Sequence, residues 1–326
     1  MSSKEKREFQ RYYIKNKMRL YWRLIKSQYL KMQYSSTKIA GRDILNVEES
    51  NRFIREMILS GEPFCIVRYG FTEMATWVEC KKVELGITPE IKQLTADTLQ
   101  RQSGFFPADV ALMPRFQKLI ENCSKSIDAL AILNMQMEDY MLDKYIPQEA
   151  TAVIARSLDC FRLGGQEPWS MALKGKRVLV IHPFADTIQK QYARREKLFD
   201  DPNILPDFEL HTLKAVQTIV GTKDERFETW FDALQYMYDE AMKIPFDIAI
   251  LGCGAYGLPL TVMLKNAGKQ AIYMGGSTQL LFGIKGRRWD LHFPEVTALY
   301  NDYWVRPSDE ETPKNKQANE DQGAYW

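Results

Sequence analysis

Seven short runs of nearly continuous apolar character mark the chain beyond residue 60: Phe64–Arg68, Ala129–Leu133, Ala152–Ala155, Val178–His182, Leu210–Leu213, Ile248–Leu251 and Ala271–Met274. They do not alternate apolar with polar positions, which is the pattern of strands buried on both faces. Helical stretches fall between them, including Asp186–Phe199, Asp224–Lys243 and Leu258–Asn266, the last stopped by Gly268. Strand and helix in alternation predict an α/β fold with a mostly parallel sheet. Ahead of this body, residues 5–34 read as one amphipathic helix. Ile14, Met18, Trp22, Ile25, Tyr29 and Met32 recur at three- and four-residue steps, among Lys15, Lys17, Arg19, Arg23 and Lys26. Residues 307–326 are polar, with two prolines and almost no aliphatic residue, and read as a disordered tail. Three segments follow: a basic helical extension over 1–45, a body over 46–306 and the tail over 307–326.

Charge sharpens the first boundary. The chain carries a net +2, but residues 1–34 hold ten Lys or Arg against two Glu, a net +8, and the rest is −6. A basic amphipathic arm on a mildly acidic body has two readings: a helix packed on the body or on a second copy in a homodimer, or a helix lying on an anionic membrane surface. The five cysteines form no C-x-x-C pair and point to a reducing, cytoplasmic setting. The three histidines show no i, i+4 pairing, which argues against a histidine-based zinc site. No apolar stretch approaches 18 residues and no secretory leader is visible. Nothing points to nucleic acid as a partner.

Four segments carry candidate chemistry, and each follows a strand. Ligands of parallel sheets bind beyond the carboxyl ends of strands. Arg68-Tyr-Gly-Phe-Thr-Glu73 offers a guanidinium for phosphate oxygens, Gly70 for a tight turn, Thr72, and Glu73 as a metal ligand or base. Gly252-Cys-Gly254-Ala-Tyr256-Gly257 opens a helix and has the spacing that lets backbone N–H groups approach a phosphate. A dinucleotide-binding or methyltransferase site competes for that motif. Both usually place a carboxylate at the end of the next strand, which here runs into Gly275-Gly276. Residues 275–289 add Gly275, Gly276, Gln279, Lys285 and Arg288, a loop suited to fold around an anion. His182 closes a strand, where a base, a phosphate ligand or a buried structural histidine would sit.

In this order and spacing the segments resemble the GT-D superfamily of bacterial glycosyltransferases, most clearly over 64–77 and 176–289. The resemblance implies a single Rossmann-like domain of GT-D type and transfer, of the hexosyltransferase kind, from a nucleotide sugar, commonly a UDP-sugar. It implies a glycan, lipid-linked or protein-linked acceptor in surface polysaccharide or glycoconjugate synthesis; the basic amphipathic helix is what would hold the protein at the inner face of the membrane. Arg68, Gly70 and Glu73 match the family's R-x-G-x-x-E segment, and Phe71 stands where many members carry the first Asp of D-x-E. A divalent cation, Mn or Mg, is implied with Glu73 as its ligand, and the usual carboxylate pair is incomplete. Arg68 and Glu73 are the residues the segment's match puts at catalysis, and His182, by its place at a strand end, is the second candidate for the base. A nucleotide-binding protein without turnover, or a scaffold recruited to the membrane, is the alternative from another class.

Overall fold

The computed structural model describes residues 3–30, 37–162 and 167–326; side chains of 23–30 lie outside the description. Nine strands form one sheet: β1 Lys38–Ile39, β2 Arg42–Leu45, β3 Phe64–Val67, β4 Ala129–Ile132, β5 Thr151–Ile154, β6 Arg177–His182, β7 Glu209–Lys214, β8 Ile248–Leu251 and β9 Gln270–Tyr273. Their order is β1-β2-β5-β4-β3-β9-β8-β6-β7, parallel throughout except for the antiparallel β1–β2 pair. The mostly parallel α/β sheet read from the sequence is therefore the fold. The β1–β2 hairpin was not legible, because its few residues are largely polar. It is held instead by Arg42, whose guanidinium donates to the carbonyls of Pro147, at 2.7 Å, and Leu142, at 2.6 Å.

The main helices are α1 Ser3–Leu30, α2 Val47–Ser60, α3 Phe71–Glu84, α4 Gln93–Ser103, α5 Met113–Ser124, α6 Glu138–Lys144, α7 Ala185–Tyr192, α8 Trp230–Met242, α9 Gly257–Asn266, α10 Thr278–Leu281 and α11 Arg287–His292. Both faces of the sheet are covered, so β3, β4, β8 and β9 are buried at every position. Alternate residues point to opposite faces. Cys65 and Val67 join a core with Trp77, Leu99, Phe116 and Trp230, and Phe64 and Ile66 join a second with Ile54, Ile58, Ile188 and Leu280.

The extension and the tail both depart from a simple reading. Helix α1 docks on the body through Phe9, Tyr12, Tyr13 and Asn16, not through the Ile14–Met18–Trp22 stripe, which is 57–59% exposed. Ile25, Tyr29 and Met32 fall outside the described side chains. Residues 307–326 are not a disordered tail. Glu311 is buried and accepts from the backbone N–H groups of Asp186, at 2.9 Å, and Thr187, at 3.2 Å, at the start of α7. A carboxylate is favoured at a helix N-terminus, and Trp326 is buried in the second core. One buried acid and one buried indole anchor a segment whose average composition reads as unfolded.

Candidate active site

Four neighbouring strands, β3, β9, β8 and β6, end on one side of the sheet, with Ile66 beside Ile272, Ile272 beside Ile250 and Leu251 beside Ile181. Arg68 and Gly252 follow β3 and β8 directly, His182 is the last residue of β6 and Gly276 lies three residues past β9, so segments far apart in sequence converge on one cleft of about 210 Å³. Among the predicted residues, Arg68, Gly70, Thr72, Glu73, His182, Gly252, Gly254, Tyr256, Gly276, Gln279 and Arg288 line it.

Arg68 is half-buried beside the ring of Tyr273, 5.9 Å from its centroid. Among the described residues it makes no ion pair, and its buried Nε has no hydrogen-bond partner. A Cβ on Gly275, which has φ +74°, would lie 3.1 Å from the guanidinium carbon. The glycine thus lets the loop pass closely over the arginine. A cation left unsatisfied inside a cleft is an anion-binding feature.

Glu73 sits in the first turn of α3, whose N-cap is Gly70 in extended conformation. Its carboxylate folds back so tightly that a Cβ at residue 70 would lie 1.8 Å from Oε2. Gly70 is needed for this approach rather than for a left-handed turn. Burial raises the Glu73 carboxyl above the usual range, opposed by its own backbone N–H, Arg68 and the Ser103 hydroxyl; Glu320 raises it further. Phe71, at the position of the missing Asp, is 65% exposed at the cleft.

His182 is fully enclosed, and its Nδ1 accepts the backbone N–H of Phe184 at 3.0 Å. That bond leaves Nε2 as the protonated nitrogen. Burial lowers the ring's pKa to about 3. His182 is therefore a neutral hydrogen-bond donor, and the base role considered for it does not fit.

The glycine-rich turn is shaped by protein atoms as well as by any ligand. A Cβ on Gly252 would meet His182 Cδ2 at 2.6 Å, and one on Gly257 would meet the Tyr273 ring at 2.0 Å. Gly254, at φ +59°, lies against the Ser103 carbonyl oxygen, 2.9 Å from where a Cβ would stand. Gly257 and Gly275 support the cleft from behind and are not among its lining residues. Tyr256 stacks on Trp230 with centroids 4.8 Å apart.

In the last loop, the Gln279 amide nitrogen donates to the carbonyls of Ile284, Lys285 and Tyr325 at 3.0–3.2 Å, leaving the buried Oε1 without a partner. Arg288 binds the carboxylate of Glu320, with Asp321 Oδ2 at 3.5 Å and Tyr325 OH at 3.3 Å. Lys285 does not join the cleft: its ammonium lies over the Tyr300 ring, 5.2 Å from the centroid.

Several lining residues were missed from the sequence: Gln102, Ser103, Thr218, Glu320, Tyr325 and Trp326. None stands in a glycine-rich or strand-end motif; the aromatic pair closing a polar segment was the one available signal. Asp159 is a further case beside the cleft, following β5. Burial raises its carboxyl, opposed by Ser277, Arg162 and Arg68. Among the described residues no three His, Cys, Asp or Glu side chains cluster as a metal site. Among the described residues, Glu73 and Glu320 are the only carboxylate side chains lining the cleft, and Glu320 is engaged by Arg288.

No family model and no curated protein matches the chain. Two solved structures of the domain of unknown function 1792 are similar to it. One is described as having "a distinct glycosyltransferase fold", and the other is the selenomethionine-substituted form. Each is 14% identical with a TM-score of 0.40; the alignments cover 72% and 73% of this chain and 79% of each of those. At that level of likeness the fold rests on the chain's own sheet order and the functional reading on its own cleft.

Proposed function

We propose that the chain is a glycosyltransferase that moves a sugar from a nucleoside diphosphate sugar, a UDP-sugar by its family resemblance, to a glycan, lipid-linked or protein-linked acceptor. The observation that carries this is the convergence of Arg68 and Arg288 with three glycine-bearing turns at the ends of four adjacent strands. In the reaction, the bond from the anomeric carbon to the β-phosphate oxygen breaks and its electron pair leaves with the diphosphate. The acceptor oxygen bonds to the anomeric carbon and gives up its proton. The main catalytic demand is to stabilise the charge gathering on the phosphates. Arg68, whose buried Nε has no hydrogen-bond partner, meets that demand. Glu73, whose carboxyl is raised by burial, takes the acceptor proton. His182, its Nδ1 taken by the Phe184 N–H, stays neutral throughout.

A divalent cation fits only in part. Magnesium is commonly held by one or two carboxylates together with substrate phosphates. Glu73 supplies one, and the cation would neutralise phosphate charge. Glu73→Gln should lower transfer by about 100-fold, the low end for loss of an acid–base group, with the thermal midpoint unchanged. Near wild-type turnover would make Glu73 a purely structural cap of α3. A panel of nucleotide sugars, followed by release of nucleoside diphosphate with and without Mn²⁺, tests the reaction itself. The exposed Phe71 favours one other reading, nucleotide binding without turnover. That reading predicts a thermal shift with nucleotides and no product.

We also place the acceptor at an anionic membrane surface. No helix among the described residues is long and apolar enough to cross a membrane. Helix α1 turns Ile14, Met18 and Trp22 outward beside exposed Arg11, Lys15 and Lys17. Its acids turn inward, Glu5 to Lys81 at 3.1 Å and Glu8 to Lys144 at 2.5 Å. An apolar stripe among unopposed cations suits anionic lipid. The same face on a second copy would bring like charges together. Sedimentation should show binding to vesicles containing phosphatidylserine, lost at high salt, and none to neutral vesicles. Equal, negligible binding to both, with a dimer lost on deleting residues 1–34, would assign the helix to assembly.

A further inference from the structure

Residues 312–326 lie across the cleft that the strand ends build. Glu320, Tyr325 and Trp326 are part of its lining. A Cβ on Gly276 would stand 2.5 Å from the Tyr325 ring, so this part of the chain presses on the second glycine of the anion-binding loop. The carbonyl of Tyr325 accepts from Gln279 at 3.0 Å. The segment's two ends are held firmly, by Asn315 and Asn319 bound to the carbonyls of Val220 and Arg101 and by buried Ala324 and Trp326, whose indole N–H donates to the Glu311 carbonyl at 3.2 Å. The turn between them is tied by Arg288 N–H to the Ala324 carbonyl at 2.9 Å, Arg287 Nε to the Asp321 carbonyl at 2.7 Å, His292 Nε2 to Asp321 Oδ1 at 2.9 Å, and Glu320 N–H to Gln102 Oε1 at 3.2 Å.

Three features set this segment apart from ordinary packing. First, the group held on Arg288 is a carboxylate, Glu320, with a second, Asp321, at 3.5 Å. A guanidinium binds carboxylate and phosphate with the same fork of donors, so Glu320 stands where a phosphate would. Second, the cleft left beneath the segment is about 210 Å³, below the roughly 300–1,000 Å³ of small-molecule sites. Third, the chain turns through Asp321 at φ +53°, Gln322 at φ +56° and Gly323 at φ +112°. The first two are side-chain-bearing residues in the left-handed region, a conformation they hold only against a steric cost. Arg68, also in the lining, has no carboxylate within ion-pair distance among the described residues, although Glu73 and Asp159 feel its charge. By contrast, the buried Glu311 on α7 and the buried Trp326 indole are fixed points on either side, so movement is confined to the turn over 319–323 between them.

We propose that residues 319–323 form a displaceable strap in which Glu320 serves as the resident counter-ion of Arg288, and that an entering diphosphate takes Arg288 from Glu320 and lifts the strap while Trp326 stays in the core. The proposal rests on reading the cleft as a diphosphate site. Competition of this kind makes the protein's own carboxylate a brake on donor binding, and couples donor entry to opening of the roof.

The test uses the full chain and pyrophosphate as the probe, with UDP and a UDP-sugar measured beside it. Titration calorimetry at low salt should show pyrophosphate binding Glu320→Gln about three- to tenfold more tightly than wild type, and Asp321→Asn with a smaller gain. Hydrogen exchange in wild type should show the amides of Gly323 and Ala324 exchanging faster at saturating pyrophosphate. Equal or weaker binding by Glu320→Gln, no pyrophosphate binding by either protein, or slower exchange over 320–326 would each overturn the strap. Should Glu320→Gln fail to fold, Asp321→Asn and the wild-type exchange experiment decide alone. Strap release by pyrophosphate with no binding of UDP or UDP-sugar leaves this inference standing and removes the nucleotide-sugar reading. Nucleotide binding with unchanged affinity in Glu320→Gln removes the strap and leaves that reading.

Discussion

Two charged regions of this molecule are built on opposite principles. Where α1 meets the body, Lys81 is buried and held by Glu84 at 2.9 Å, Glu5 at 3.1 Å and Glu121 at 3.7 Å. Glu84 in turn takes Lys118 at 2.7 Å and Gln117 at 2.5 Å. Around them Phe9 packs on Trp77 and Tyr140. In the cleft, Arg68 Nε and Gln279 Oε1 are buried without partners. A buried polar group without a partner costs the full desolvation of that group. Unpartnered buried atoms occur outside the cleft too, Trp77 Nε1 in the α1 region among them; what distinguishes the cleft is that its cation Arg68 makes no ion pair among the described residues, whereas Lys81 is held by three carboxylates. The first region holds the fold, and the second holds something else.

This contrast is open to direct test. Lys81→Met removes the central cation of the α1 network and leaves buried carboxylates behind. It should lower stability by about 3 kcal/mol, read as a shift of the urea midpoint, with pyrophosphate affinity unchanged in the folded protein. Arg68→Gln should do the reverse. Transfer should fall about 100- to 1,000-fold, the range for losing one donor to developing charge, with the urea midpoint close to wild type. If Arg68→Gln unfolds the protein instead, the cleft is structural and the contrast fails.

A smaller effect is expected with pH. Interactions with Lys118, Lys81 and Gln117 outweigh burial and hold the Glu84 carboxyl at about 2, below its ordinary 4.5. A depressed carboxyl stabilises the folded state above its unfolded pKa, and that contribution is lost as pH falls from about 4.5 toward about 2. Thermal midpoints should fall through that window in wild type, and less so in Glu84→Gln. A wild-type midpoint flat across the window would show that the network's charges carry no net stability.

The same two regions show how far sequence reading reached. The apolar runs located β3 to β9 to within a residue or two, because a strand buried on both faces must be apolar on both; β7, at the sheet edge and exposed or half-buried at every position, is the exception. They also located Arg68, Gly252 and Gly276, because sites of parallel sheets gather at strand ends. The α1 stripe was legible as amphipathic, but Phe9, Tyr12 and Tyr13 dock the helix, and no periodicity distinguishes one apolar face from another. Lys285 and Arg288 look equivalent in sequence; one lies over Tyr300 and the other faces Glu320.

What the chain determined by itself is local: buried strands, helices between them, and the residue types at each strand's end. What only the tertiary structure decided is which strand ends stand side by side, and so which arginine meets which glycine. It also decided the donor form of His182, fixed by Phe184 and by enclosure, and the path of residues 307–326. Those residues read as unfolded because average composition gauges how much apolar surface a segment can bury. It cannot register a single carboxylate on the N-terminus of α7, or one indole closing a core assembled from residues far back along the chain.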